Sequence, residues 1–175
     1  MKIVFIVYHD LKIEARSKET LDALKMIGDV SLVSFAKPSD TENIDIHMSI
    51  YSKYLPGIRY LLFLFKARKV IAMKKPEMVV LHDCSPLIPY VKKYHPETTI
   101  VYDQSEIYID RKPQTIKKKI LQMIDTKYDK YIRDSHITIS ANEERAKIMK
   151  DYYKLNHSPI VFDNMHRIED TFNSE

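Results

Sequence analysis

Strand-length apolar runs alternate along this chain with longer stretches of helical spacing. That alternation constrains the fold more than any other feature, because it is the pattern of a parallel sheet flanked by helices. Lys2–Tyr8 is almost continuously apolar, as a strand covered on both faces must be, and it belongs near the centre of the sheet. Residues 15–28 place Leu21, Leu24 and Ile27 at steps of three beside Ala23, a helix for which Gly28 offers a left-handed stop. Val30–Phe35 is a second strand. Ile44, Ile46 and Met48 alternate with polar residues in a short strand towards the sheet edge. Pro56 opens a long helix to about Lys74, and Met78–Leu81 is the next buried strand. Ser85-Pro86 supplies a cap and a first-turn proline for a helix through Tyr94, followed by a strand at Thr99–Tyr102. Pro113 opens a helix with Ile116, Ile120, Ile124 and Tyr128 every fourth residue. His136–Ile139 is a strand, Ser140-x-x-Glu143 has capping-box spacing for a helix through Tyr153, and Pro159–Phe162 is a last strand. The expected fold is α/β, a single Rossmann-like domain of six or seven parallel strands with helices on both faces.

At 175 residues and 45% hydrophobic content the chain fills one core and leaves no room for a second domain of similar size. Its 28 Lys and Arg against 24 Asp and Glu leave a formal +4, which permits an anionic partner and is not the composition of a nucleic-acid binder. A single cysteine, Cys84, excludes an internal disulfide and a four-cysteine zinc site and points to the cytoplasm. The N-terminal apolar run meets His9-Asp10 before any cleavage site, so it reads as a strand and not a signal peptide.

In an open parallel sheet the ligand crevice lies beyond the carboxyl ends of the strands. The loops expected there begin at His9-Asp10, at His82-Asp83-Cys84-Ser85, at Asp103-Gln104-Ser105-Glu106 and at Ser140-Ala141-Asn142-Glu143. Their polar groups suit a polyhydroxylated ligand, whose hydroxyls both donate and accept. Asp and Ser at such positions are also ordinary helix caps, the expected role of Ser85 and Ser140. Three acids, Asp83, Asp103 and Glu106, at one sheet edge repel one another unless something uses them. His82 and Cys84 raise the question of a metal, but adjacent residues leaving a strand rarely aim two side chains at one ion, and no metal site is expected. The loop after the first strand has no glycine, so the dinucleotide fingerprint is absent, as are a P-loop and a serine-hydrolase elbow. No cofactor is expected. Tyr60–Phe65 followed by Lys66, Arg68, Lys69, Lys74 and Lys75 is far short of the roughly 20 apolar residues of a membrane span. It fits either a core-packed helix with a solvated face or an interfacial helix at anionic headgroups.

Four segments in order resemble a known family. Val79-Val80-Leu81-His82-Asp83 resembles "VVHAHD", and Ile100 through Tyr108 resembles "LVYDSHELY", both from the N-terminal domain of family 4 retaining glycosyltransferases. Ile137–Ser140 with Glu143-Glu144 resembles "VITVSEALAE", and Ile160-Val161-Phe162-Asp163-Asn164 resembles "TVIPNGVD", the crossover into the C-terminal domain. The resemblance implies the first half of a GT-B fold, with residues 1–163 as the acceptor-side domain and 164–175 as an interdomain linker or tail. In that family a C-terminal domain holds most of the nucleotide-sugar donor and the N-terminal domain shapes the site of the sugar or glycan acceptor. Cleft roles are thereby implied for His9, Asp10, His82, Asp83, Asp103, Gln104, Ser105 and Glu106, without a catalytic base among them. Ser105 stands where many members carry histidine, so a histidine contact to the donor sugar does not carry over. The glycine-rich first loop is replaced by Ile13–Ser17, leaving Arg16 or Lys18 to supply charge on the donor-phosphate side. A transferase domain in surface polysaccharide or glycoconjugate synthesis, inactive alone and peripheral at the inner membrane face, is one expectation. A noncatalytic subunit that recruits a separate catalytic half is the other.

Overall fold

A computed structural model describes residues 1–8, 15–35, 45–48, 56–105, 123–124 and 126–162. The elements run β1 (Lys2–Val7), α1 (Ala15–Ile27), β2 (Asp29–Ser34), β3 (Asp45–Met48), α2 (Pro56–Lys74), β4 (Met78–His82), α3 (Ile88–Tyr94), β5 (Thr99–Gln104), β6 (Ile137–Ser140), α4 (Glu143–Tyr153) and β7 (Ile160–Val161). One-turn 3-10 helices precede α3 and β6, and residues 126–129 are helical. The seven strands form one sheet in the order β3-β2-β1-β4-β5-β6-β7, every pair parallel. The fold is thus the expected α/β arrangement, with β1 inside the sheet and the short alternating strand, β3, at its edge. Of the helix expected from Pro113, only its last turns fall within the described residues.

Period-two alternation sends successive side chains of each strand into two cores. On one face Ile3, Phe5 and Val7 of β1 meet Leu21 and Leu24 of α1. On the other, Val4 and Ile6 meet Tyr60, Phe63, Leu64, Ala67, Val70 and Ile71 of α2 and Leu87, Ile88 and Val91 around α3. The long apolar run of α2 therefore has a face that belongs to the core. At the edge, Ser31 donates to Asp45 at 3.4 Å and Lys74 of α2 pairs with Asp45, which ties β3 down.

Three local expectations need correction. Gly28 is not left-handed; no glycine among the described residues has positive φ. Its requirement is space, since a Cβ there would lie 2.4 Å from the Met1 carbonyl oxygen and 2.9 Å from Ile3 Cδ1. Ser140 is the last residue of β6, and Asn142 caps α4, its Oδ1 accepting from the Arg145 backbone N–H at 2.8 Å. Ser85 lies inside its 3-10 turn, and neither that turn nor α3 has a side-chain cap.

Candidate functional site

The strand order reverses at β1. Chain that continues from β1 builds outward through β2 and β3, then crosses back through α2 to place β4 on the other side of β1. The crevice of such a sheet opens at this switch point, beyond the carboxyl ends of β1 and β4.

The polar residues expected in the neighbouring loops are partly in the strands. His82 ends β4, and Asp103 and Gln104 end β5, so the second and third expected loops begin later than the sequence implied. His82 and Asp103 are register partners, and both project towards the α1 face, as Val80 and Val101 do two residues earlier. There His82 Nδ1 donates to Asp103 Oδ2 at 2.8 Å, with both side chains buried. The other carboxylate oxygen, Oδ1, accepts from Nη2 of Arg16 in the first turn of α1. The Asp103 carboxylate is thus neutralised inside the protein by a guanidinium 87 residues away in sequence. This answers the repulsion problem for that acid by pairing and hydrogen bonding, as a buried charge demands.

Arg16 itself is only half satisfied. The residue is 4% exposed, and its Nε and Nη1 have no hydrogen-bond partner among the described residues. Leaving such donors buried and unpaired costs about 1–3 kcal/mol each, more when the group is charged. The ring of Phe162, just past β7, lies 5.8 Å from the Arg16 guanidinium carbon.

Asp83 takes the chain out of β4 with φ of 50°, a left-handed conformation that aspartate tolerates better than most residues. In that pose its Oδ2 accepts from the Ser105 hydroxyl at 2.5 Å and its Oδ1 from the Ser105 backbone N–H at 3.3 Å. The Asp83 N–H in turn donates to the Asp103 carbonyl at 3.0 Å. His82 Nε2 lies 3.9 Å from Asp83 Oδ2, so the imidazole stands between two carboxylates. Arg145 of α4 donates to the Ser105 carbonyl, which fixes the end of β5 to α4.

Gln104 points to the opposite face, where its Nε2 donates to the Tyr153 hydroxyl at 3.0 Å. Burial first, then the charge of Asp129, pushes the Tyr153 phenol up from its ordinary value. Asp129 was not singled out in the sequence. Its carboxyl is within hydrogen-bonding reach of Ser85, and burial pushes it up to about 6. An aromatic cluster at the end of β1 was also missed. Tyr8 meets Tyr60, Phe63 and Phe35 at ring distances of 4.7, 5.0 and 5.8 Å. Arg59 donates to the Tyr8 hydroxyl at 3.3 Å and stacks over Phe35 at 4.5 Å. The sequence signal for it was a tyrosine directly at the end of an apolar strand.

The structure thus brings together Arg16, His82, Asp83, Asp103 and Ser105, and sets Gln104 behind them. Lys18 is exposed on α1. His9, Asp10 and Glu106 lie outside the described residues. Among the described residues no group of three or more His, Cys, Asp or Glu side chains could hold a metal ion, and no helix is long and apolar enough to cross a membrane.

No protein-family model and no curated protein matches the sequence. Solved structures do match by fold. A UGT transferase from Siraitia grosvenorii in complex with UDP superposes with a TM-score of 0.59 at 10% identity, over 93% of this chain and 47% of that one. A UDP-glucosyltransferase from Polygonum tinctorium capable of glucosylating indoxyl gives 0.58 at 9% identity, over 93% and 51%. UGT2 of Phytolacca americana, complexed with UDP-2fluoro-glucose and pterostilbene, gives 0.60 at 9% identity, over 93% and 53%. The chain therefore shares the α/β fold found in glycosyltransferases and spans about half the length of these structures.

Proposed function

We propose that this chain is the N-terminal, acceptor-side domain of a nucleotide-sugar-dependent glycosyltransferase of the family 4 retaining type, serving surface polysaccharide or glycoconjugate synthesis and inactive alone. The observation that carries the reading is the buried, half-satisfied Arg16 at the switch point of the sheet. Asp103 holds Nη2 of its guanidinium and leaves Nε and Nη1 as donors for an anion such as the donor diphosphate. Two further facts support it: the order of the four strand-end segments, and a fold shared with structures that hold UDP or a UDP-sugar over about half their length.

The division of labour follows from the site. Asp83 and Ser105, locked to each other at the strand ends, position the acceptor hydroxyls together with Glu106, His9 and Asp10 of the adjoining segments. His82 and Asp103 hold Arg16, and the remaining donor contacts come from a C-terminal domain or a partner subunit. In retaining transfer the donor phosphate is often assigned the acceptor proton, so this domain needs no base of its own. The proposed compartment is the cytoplasm, with the chain peripheral at the inner membrane face.

Assays with UDP-sugars on the 175-residue chain alone are expected to give no transfer; robust turnover refutes the reading. Reading the source gene past codon 175 then separates two versions. A second Rossmann-like half makes this one domain of a single-chain transferase, whereas an immediate stop favours a subunit of a split enzyme and calls for a pull-down of its partner. In the two-domain enzyme or complex, Arg16→Lys should raise donor KM about tenfold or more, and Asp83→Ala should raise acceptor KM or lower kcat. Unchanged kinetics in both variants removes the site assignment.

A further inference from the structure

α2 has a second apolar face. Beyond the residues it gives to the core, Ile58, Leu61 and Phe65 recur at helical spacing with 48–56% of their surface exposed, and Met73 further along is 63% exposed. α3 lies beside it, the Tyr90 hydroxyl donating to the Arg68 carbonyl at 3.3 Å and Arg68 covering the Tyr90 ring at 5.3 Å. Next to Tyr90, at a ring distance of 5.1 Å, Tyr94 is 59% exposed.

The charge on these two helices is one-sided. Together they carry seven basic residues and no acidic one, which leaves 21 basic against 24 acidic groups in the rest of the chain. The net positive charge of the protein is therefore concentrated on this layer. Lys74 and Lys92 are paired with Asp45 and Asp134, but Arg59, Arg68, Lys69 and Lys93 lie over aromatic rings, and none of these four meets a carboxylate among the described residues. Two of the pairs, Lys69 over Phe65 at 4.6 Å and Lys93 over Tyr94 at 5.1 Å, join an exposed cation to an exposed ring.

We propose that the outer face of the α2–α3 layer seats the chain on an anionic lipid bilayer, with Ile58, Leu61, Phe65 and Tyr94 entering the interface and Lys69 and Lys93 meeting lipid phosphates. The proposal rests on the peripheral position proposed above and names its surface and lipid chemistry; it is independent of the transfer reaction. Exposed apolar groups distinguish this face from a nucleic-acid site, and the lysines among them distinguish it from an ordinary protein interface, whose core is depleted in lysine. An apolar stripe flanked by lysines gains from both parts of a bilayer surface, the acyl boundary and the anionic headgroups.

The chain has no tryptophan, so Phe65→Trp gives a single reporter at the centre of the face. Its emission should shift to the blue with vesicles of equal parts phosphatidylcholine and phosphatidylglycerol, much less with phosphatidylcholine alone, and the shift should weaken with added salt. In flotation assays the Leu61→Glu/Phe65→Glu double variant should bind the mixed vesicles at least about tenfold more weakly than wild type. Lys69→Glu/Lys93→Glu should lose the preference for phosphatidylglycerol. These positions are exposed, and an unchanged urea midpoint confirms that the variants fold. No binding of wild type to either vesicle overturns the peripheral position itself. Binding that survives Leu61→Glu/Phe65→Glu leaves the membrane position standing and refutes this face. Equal binding to both vesicles refutes the anionic preference. A lipid-free wild-type dimer that Leu61→Glu/Phe65→Glu converts to monomer replaces the bilayer with a second copy of the chain.

Discussion

Replacing Asp129 by asparagine should stabilise the protein at neutral pH and leave it unchanged in acid. The carboxyl is partly buried beside Ser85, and burial raises its pKa from 3.8 to about 6. The folded state therefore holds a proton that the unfolded chain has released, and stability must fall as pH rises between the two values. The favourable condition is fully present below pH 3.8 and is lost by the time pH passes about 6. At full weight the shift corresponds to about 3 kcal/mol. Solvent reaches part of this side chain, and screening reduces the effect to roughly 1–2 kcal/mol. Asparagine is nearly isosteric, still accepts from Ser85 through Oδ1, and has no charge to desolvate. Urea unfolding of both proteins at intervals from pH 4 to pH 8 reads the difference as a rising curve that flattens above about pH 6. A difference that does not change with pH, or a wild type more stable than Asp129→Asn at pH 7, refutes the argument.

Three other perturbations test the packing of the sheet and its edge. Arg16→Met strands the buried Asp103 carboxylate with His82 as its one side-chain partner among the described residues, and should cost roughly 3–5 kcal/mol in urea unfolding at pH 7. Gly28→Ala forces a methyl group against the Met1 carbonyl and the Ile3 side chain, so thermal unfolding should report a loss of about 1–3 kcal/mol although Gly28 has no positive φ. Asn142→Ala removes the α4 cap and should cost about 1 kcal/mol, whereas Ser140→Ala leaves the cap intact and should cost less.

The fold was legible because the sheet is parallel and covered on both sides. A strand such as β1, with Val4 and Ile6 in one core and Ile3, Phe5 and Val7 in the other, has no polar positions to break its apolar run. The same logic explains where the reading slipped. His82, Asp103 and Gln104 are polar and look like loop, yet they remain in the sheet because each has a partner there: His82 and Asp103 each other, Gln104 the hydroxyl of Tyr153. Composition cannot separate a polar residue that leaves the sheet from one that stays in it with its hydrogen bonds satisfied. Gly28 and Ser140 slipped for a different reason: each has two common uses at a helix end, and only the contact made by the third dimension selects one.

The candidate site was legible as a location but not as a set of contacts. Strand ends in a parallel sheet converge by topology, so naming His82, Asp83, Asp103 and Ser105 required only the point where each strand ends. That Arg16 reaches Asp103 across 87 residues, and that Asp83 adopts a left-handed turn to bind Ser105, follow from packing that no local motif encodes. Asp129 lies in a helix whose sequence marks it only as one acid among lysines, yet among the described residues it is the acid whose proton the fold retains towards neutral pH. Under the proposed function the two carboxylates at the centre, Asp83 and Asp103, take different tasks. Asp103 is consumed internally by Arg16 and His82, so its removal should be felt first in stability. Asp83 is 17% exposed and spends its oxygens on a serine, so its removal should leave the fold standing and be felt in acceptor binding. A double-mutant cycle between Asp83→Ala and Ser105→Ala in the two-domain enzyme or complex proposed above should therefore show coupling in acceptor KM, and additivity there would break the link between the turn and the site.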